Sequence, residues 1–108
     1  MVSQEQIAEI VRILSSRCQP EMIVLFGSYA RGTANEDSDL DLAIVKKTDL
    51  PGHKRPIEFR KALREGHRRW FLPMDIVVFT PEEIKKYGQS PLSFIHEIFS
   101  TGKILYES

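Results

Sequence analysis

Apolar and polar positions alternate along the chain in blocks with two different periods. Ile7, Ile10, Val11 and Leu14 recur at helical spacing and form one apolar stripe. Ser3 can cap this helix, with Gln6 three residues on as its capping-box partner. Arg17 suits the last turn and Pro20 stops the helix. Met22–Phe26 is a continuous apolar run, short enough for a buried strand. Gly27 breaks it, and Ser28–Arg31 has the length of one helical turn. A polar loop, Thr33–Ser38, leads to a second strand over Asp39–Lys47. Its alternation puts Asp39, Asp41 and Ala43 on one face and Leu40, Leu42 and Ile44 on the other. Lys46–Arg69 follows, with Pro51-Gly52 as a turn and a helix predicted over Pro56–Trp70, with Ile57, Leu63 and Trp70 among its core positions. Met74–Phe79 is the third strand. Thr80-Pro81-Glu82-Glu83 is a strong helix start, and this helix ends by Gly88. Ser90-Pro91 predicts the start of another, with Leu92, Ile95 and Phe99 on one side and Gly102 at its end. Lys103–Glu107 reads as the last strand.

These elements predict one α/β domain, residues 1–108, with a mixed sheet of about four strands and helices largely on one face. The chain's 108 residues suffice for one modest core. Its 42% apolar and 28% charged residues are those of an ordinary globular domain. Fifteen basic residues balance fifteen acidic ones, which argues against a nucleic-acid coat protein, so no direct nucleic-acid binding is expected. The single cysteine, Cys18, excludes an internal disulfide and a cysteine zinc site. It reads as a small buried residue rather than a nucleophile. No apolar run reaches the ~20 residues of a membrane span, and the start lacks the basic and apolar regions of a signal peptide. A cytoplasmic, non-membrane protein is expected.

Three features carry chemistry. Backbone N–H groups at Gly27-Ser28 are suited to an anion, and Gly27 lets a phosphate approach closely. Asp39 and Asp41 lie about 6–7 Å apart along one strand face, so their carboxylates can converge on metal ions. Asp75 interrupts an apolar strand, where a carboxylate is costly unless paired, hydrogen-bonded or bound to metal. Arg31 is either a phosphate contact or the salt-bridge partner of Glu36 or Asp37. The basic run Lys46–Arg69 reads first as a solvated helix face and second as a docking surface for an acidic partner or for nucleic-acid phosphate. His96 reads as a surface or partner-facing residue.

Taken together, Gly27-Ser28, Arg31-Gly32, Asp39-x-Asp41 and Asp75 resemble the signature of the minimal nucleotidyltransferases of the polymerase-beta superfamily. The resemblance covers nearly the whole chain. It implies transfer of a nucleoside monophosphate from an NTP to a hydroxyl, with ATP as substrate and two Mg²⁺ ions as cofactors. It assigns Asp39, Asp41 and Asp75 as catalytic and metal-binding residues, and Gly27, Ser28, Arg31 and Ser38 to the nucleotide. Minimal members are typically paired with a small helical toxin of the HEPN class, which they neutralise as antitoxins, in some cases by transferring AMP to a tyrosine. A non-catalytic antitoxin that binds a helical partner stoichiometrically is the alternative. A transferase acting on a small molecule is the third possibility.

Overall fold

The computed structural model describes residues 1–66 and 72–108. The elements run α1 (Gln4–Cys18), β1 (Met22–Phe26), α2 (Ser28–Arg31), β2 (Leu40–Val45), a 3-10 turn at Gly52–Lys54, α3 (Pro56–Gly66), β3 (Met74–Phe79), α4 (Pro81–Tyr87), α5 (Phe94–Thr101) and β4 (Lys103–Glu107). The four strands form one mixed sheet in the order β3-β2-β1-β4. β1 is antiparallel to β2 and β4, while β2 and β3 are parallel and joined through α3. A parallel pair needs such a crossover, because no hairpin can connect strands running the same way.

The local signals act as the sequence dictates. Ser3 Oγ accepts from the Gln6 N–H while the Gln6 side chain accepts from the Ser3 N–H, which closes the capping box of α1. Thr80 and Glu83 do the same for α4. Alternation along the strands then separates two cores. On one face Ile23, Leu25, Leu40, Leu42, Ile44, Ile76 and Val78 pack against Ile10 and Leu14 of α1 and Phe59 and Ala62 of α3. On the other face Val24 and Ala43 pack against Ile98 of α5, with Phe26, Val77, Phe79 and Phe99 around them.

Helices therefore cover both faces rather than largely one: α1 and α3 lie on the first, α5 on the second. Two helix phases also differ from the expectation. Ile57 is 61% exposed, and Phe59 and Ala62 face the core instead, with Leu63 partly buried beside them. Residues two apart on a helix lie about 200° around its axis, so with Phe59 turned into the core Ile57 faces away from it. Trp70 and the expected end of this helix lie outside the described residues. Ser90-Pro91 does not open α5; Ser93 caps it by accepting from the His96 N–H, and Leu92 is 97% exposed. β2 begins at Leu40, one residue after Asp39.

Three cations of the basic run, Lys46, Arg55 and Arg60, are not simply solvated but have partners inside the fold. Lys46 pairs with Glu58 at 3.0 Å and donates to the Cys18 carbonyl at 2.7 Å. Arg17 reaches Glu65, and Arg60 donates to the Met74 carbonyl at 3.1 Å. Arg55 bonds the Leu50 and Val78 carbonyls and pairs with Glu83 at 2.6 Å. Cys18 is buried, and burial, with Glu58 nearby, raises its thiol pKa, so it is held as the unreactive thiol. Among the described residues no helix is long and apolar enough to cross a membrane.

Candidate active site

Parallel pairing of β2 and β3 aligns Asp41 with Asp75, as it aligns Leu42 with Ile76 and Ala43 with Val77. Because Ala43 and Val77 belong to the face covered by α5, Asp41 and Asp75 share that face two residues further back. Antiparallel pairing on the other flank aligns Asp41 with Phe26. The row across this end of the sheet is thus Asp75, Asp41, Phe26. Asp39 is exposed and immediately precedes β2, whose entry is fixed by the Leu40 N–H donating to the Pro73 carbonyl at 3.0 Å.

The electrostatics follow from this crowding. Partial burial raises the pKa of the Asp41 carboxyl, and the charges of Asp75 and Asp39 raise it further; Arg31 opposes the shift. Three carboxylates in one neighbourhood repel one another, and a cation relieves that repulsion. Among the described residues, no three carboxylate, imidazole or thiol groups are gathered tightly enough to form a ready-made metal cage. Mg²⁺ does not require one, since it is commonly held by one or two carboxylates together with substrate phosphates. Hard carboxylate oxygens are also the donor type that suits it. The residues present fit such an ion.

Gly27 ends β1 and begins α2 with φ +74°. A Cβ built on it would overlap Asp41 Oδ2 and stand 3.1 Å from Asp41 Cγ. Gly27 is thus both left-handed in φ and pressed against the carboxylate. Ser28 opens α2, and its carbonyl accepts from the Gly32 and Thr33 N–H groups, closing the short helix into a tight turn. The Ser28 hydroxyl makes no hydrogen bond to another described residue. Arg31 is exposed, and among the described residues no ion pair joins it to Glu36 or Asp37. Its charge acts instead on Asp41. Ser38 is used within its own loop: its Oγ accepts from the Asn35 N–H at 2.9 Å and its N–H donates to the Asn35 carbonyl at 3.1 Å. The structure thus brings Gly27 and Asp75 against Asp41, with Asp39 and Arg31 close enough to act on its charge.

Two residues at this end escaped the sequence reading. Phe26 appears in the sequence only as the end of an apolar run, and Phe94 as one more apolar residue near a helix start. Their rings meet edge to face, centroids 5.9 Å apart, beside Asp41. His96, expected at the surface, is half-buried, with Nδ1 2.8 Å from the Gly88 carbonyl. A cleft of about 570 Å³ between α1 and β4 is lined by residues including Ile7, Val11, Tyr29 and Leu105, and none of the three aspartates lines it.

Comparison with known proteins agrees with this arrangement. The family model described as polymerase beta, nucleotidyltransferase matches residues 8–108. A Methanocaldococcus jannaschii protein named "putative protein adenylyltransferase" is 39% identical over 89 residues, covering 79% of this chain and 57% of that protein. A second from the same organism, with the same kind of name, is 37% identical over 82 residues, covering 76% of this chain and 75% of the relative. The chain therefore spans little more than half of the first relative's length. Among solved structures, a toxin–antitoxin crystallised with AMP-PNP shares the fold with a TM-score of 0.60 at 23% identity, over 93% of this chain and 72% of that one. A Sulfolobus solfataricus protein described as a "putative nucleotidyltransferase" aligns with a TM-score of 0.53 at 25% identity, over 74% and 68% of the two chains. With a family match across nearly its whole length and paired aspartates at the end of its sheet, the chain belongs to the polymerase-beta nucleotidyltransferases.

Proposed function

We propose that the protein transfers AMP from ATP to a hydroxyl of a partner protein, a tyrosine of a small helical HEPN-type toxin, and thereby acts as a cytoplasmic antitoxin. The observation that carries the transferase reading is the alignment of Asp41 with Asp75 beside the Gly27 turn. The relatives named for protein adenylylation favour a protein acceptor. The toxin–antitoxin that shares the fold was crystallised with an ATP analogue, which is the context proposed for this chain.

In this reading the Gly27 and Ser28 backbone and the Ser28 hydroxyl hold the β- and γ-phosphates, and Arg31 faces the phosphate charge from the end of α2. Asp39, Asp41 and Asp75 would hold two Mg²⁺ ions, whose chemistry is to offset the charge that develops at the α-phosphate. The acceptor oxygen bonds to the α-phosphorus, the bond from that phosphorus to the α,β-bridging oxygen breaks, and pyrophosphate leaves. The acceptor's proton passes to Asp75, the exposed member of the aligned pair. Ser38 contributes by fixing the turn that delivers Asp39.

The test is to co-express the protein with the candidate toxin and weigh the toxin by mass spectrometry. A gain of AMP on one tyrosine supports the proposal. If the toxin is neutralised without modification, and equally well by Asp41→Asn, the protein acts as a stoichiometric binder instead.

A further inference from the structure

Leu92 and Phe94 flank the start of α5 and are exposed, Phe94 by 53%. Phe94 is not a loose surface residue. Ile98 anchors α5 in the sheet's second core, and Ile95 is buried as well. Ser93 caps the helix and donates its hydroxyl proton to the Tyr87 carbonyl at 2.6 Å. His96 Nδ1 ties the same turn to the Gly88 carbonyl. The Phe94 ring is thus held against Phe26, planes at 83°, and Phe26 is the register neighbour of Asp41. An aromatic surface, half open to solvent, is fixed beside the carboxylates.

Its side of the cluster identifies its occupant. Asp75 and Phe26 flank Asp41 on opposite sides. β1, which carries Phe26, runs directly into Gly27-Ser28, where the proposed function puts the donor's phosphates. With the β- and γ-phosphates at that turn and the acceptor hydroxyl at Asp75 on the far flank, the exposed ring of Phe94 is the aromatic surface on the donor's side of Asp41. Every base has a π-face, so an aromatic ring holds bases with little regard to identity.

We propose that Phe94, backed by Phe26, is the platform on which the base of the nucleoside triphosphate rests, so that it sets the preference for a nucleotide over a bare polyphosphate. This rests on the reading of the site as a nucleotidyltransferase centre. The test measures, by titration calorimetry with Mg²⁺ present, the binding of ATP and of inorganic tripolyphosphate to the wild type and to Phe94→Ala, Phe94→Leu and Phe94→Trp. The expected result is a loss of about 10-fold in ATP affinity for the alanine and leucine variants, retention in the tryptophan variant, and unchanged tripolyphosphate binding throughout. Leucine keeps apolar volume at the site, so its loss of affinity separates stacking from packing. Unchanged ATP affinity in Phe94→Ala, or an equal loss for both ligands, would overturn the platform while leaving the transferase reading intact. So would a variant that binds ATP normally but has a raised KM for the acceptor. A wild-type protein that binds neither ligand overturns both.

Discussion

Gly27 and Asp41 exclude one another's growth: the hydrogen that serves as the Gly27 side chain faces Asp41 Oδ2, in space that a methyl group would overlap. The contact links the turn that starts α2 to the strand that carries the carboxylate. Gly27→Ala has to resolve both the overlap and a φ of +74°. Moving either the turn or Asp41 changes the site itself. The variant is expected to lose about 1–2 kcal/mol of stability from the left-handed backbone and to lose transfer activity far more completely than stability. Denaturant unfolding and label transfer, measured on one preparation, check the two effects separately.

Asp41 is strained electrostatically in the free protein. Its folded pKa lies above the ordinary carboxylate value, so the folded state binds the proton more tightly than the unfolded chain does. Asp41 ionisation therefore opposes folding, and the opposition is fully present above the folded pKa and relieved as pH falls through it. Asp41→Asn removes it. Without added metal at neutral pH, the variant is expected to melt above the wild type, with the difference shrinking as the pH is lowered toward the carboxylate range. Transfer should fall by at least about 100-fold, because the amide no longer supplies the negative charge that holds the metal. Thermal melts of both proteins between pH 4 and 8 (about the span over which a carboxylate finishes ionising) provide the check.

Glu83 behaves in the opposite sense. Burial pushes its pKa up, but the Thr80 N–H and the Arg55 guanidinium outweigh burial and hold it below the usual value. Its stabilising contribution is present above the unfolded glutamate pKa and is lost as pH falls through the lower folded one. Arg55 also bonds the Leu50 and Val78 carbonyls, so Arg55→Ala removes several hydrogen bonds that tie the segment before α3 to β3 and α4. A loss of about 2–3 kcal/mol is expected, with reduced acid sensitivity relative to the wild type. Urea unfolding at neutral pH and at about pH 4 measures both.

The four strands and most helix boundaries were legible because alternation and capping residues are local signals, whereas the order of the strands in the sheet was not. The carboxylate pair was legible only in part. Asp39-x-Asp41 stands in plain view at the entry to one strand, but the alignment of Asp41 with Asp75 depends on a parallel register set through α3, which no spacing encodes. Ile57 and Phe59 show why phase was harder. Both are apolar and two residues apart in one short helix, and the contact with α1 and the sheet decides that Phe59 is fully buried and Ile57 exposed. Ser90 and Ser93 are competing caps with the same chemistry. Ser90 is spent in a turn, accepting at its carbonyl from the Ser93 N–H, and Ser93 takes the cap. Phe94 could not be singled out because its significance lies in a neighbour, Phe26, distant in sequence.

That difference in phase is itself measurable. Phe59→Ala empties a site with no solvent access and is expected to cost about 3–5 kcal/mol, enough to unfold much of a domain this small. Ile57→Ala should stay within about 0.5 kcal/mol of the wild type. Equal effects in chemical denaturation would contradict the packing of α3.

The most direct measurement uses ATP labelled in turn at the α- and the γ-phosphate, with Mg²⁺, the wild-type protein and its candidate toxin, alongside Asp41→Asn and Asp75→Asn. Label from the α position should appear on the toxin and label from the γ position only in pyrophosphate, with both aspartate variants inactive. Label on the toxin from the γ position would contradict nucleotidyl transfer, and transfer that survives in both variants would contradict the aligned carboxylates as its centre.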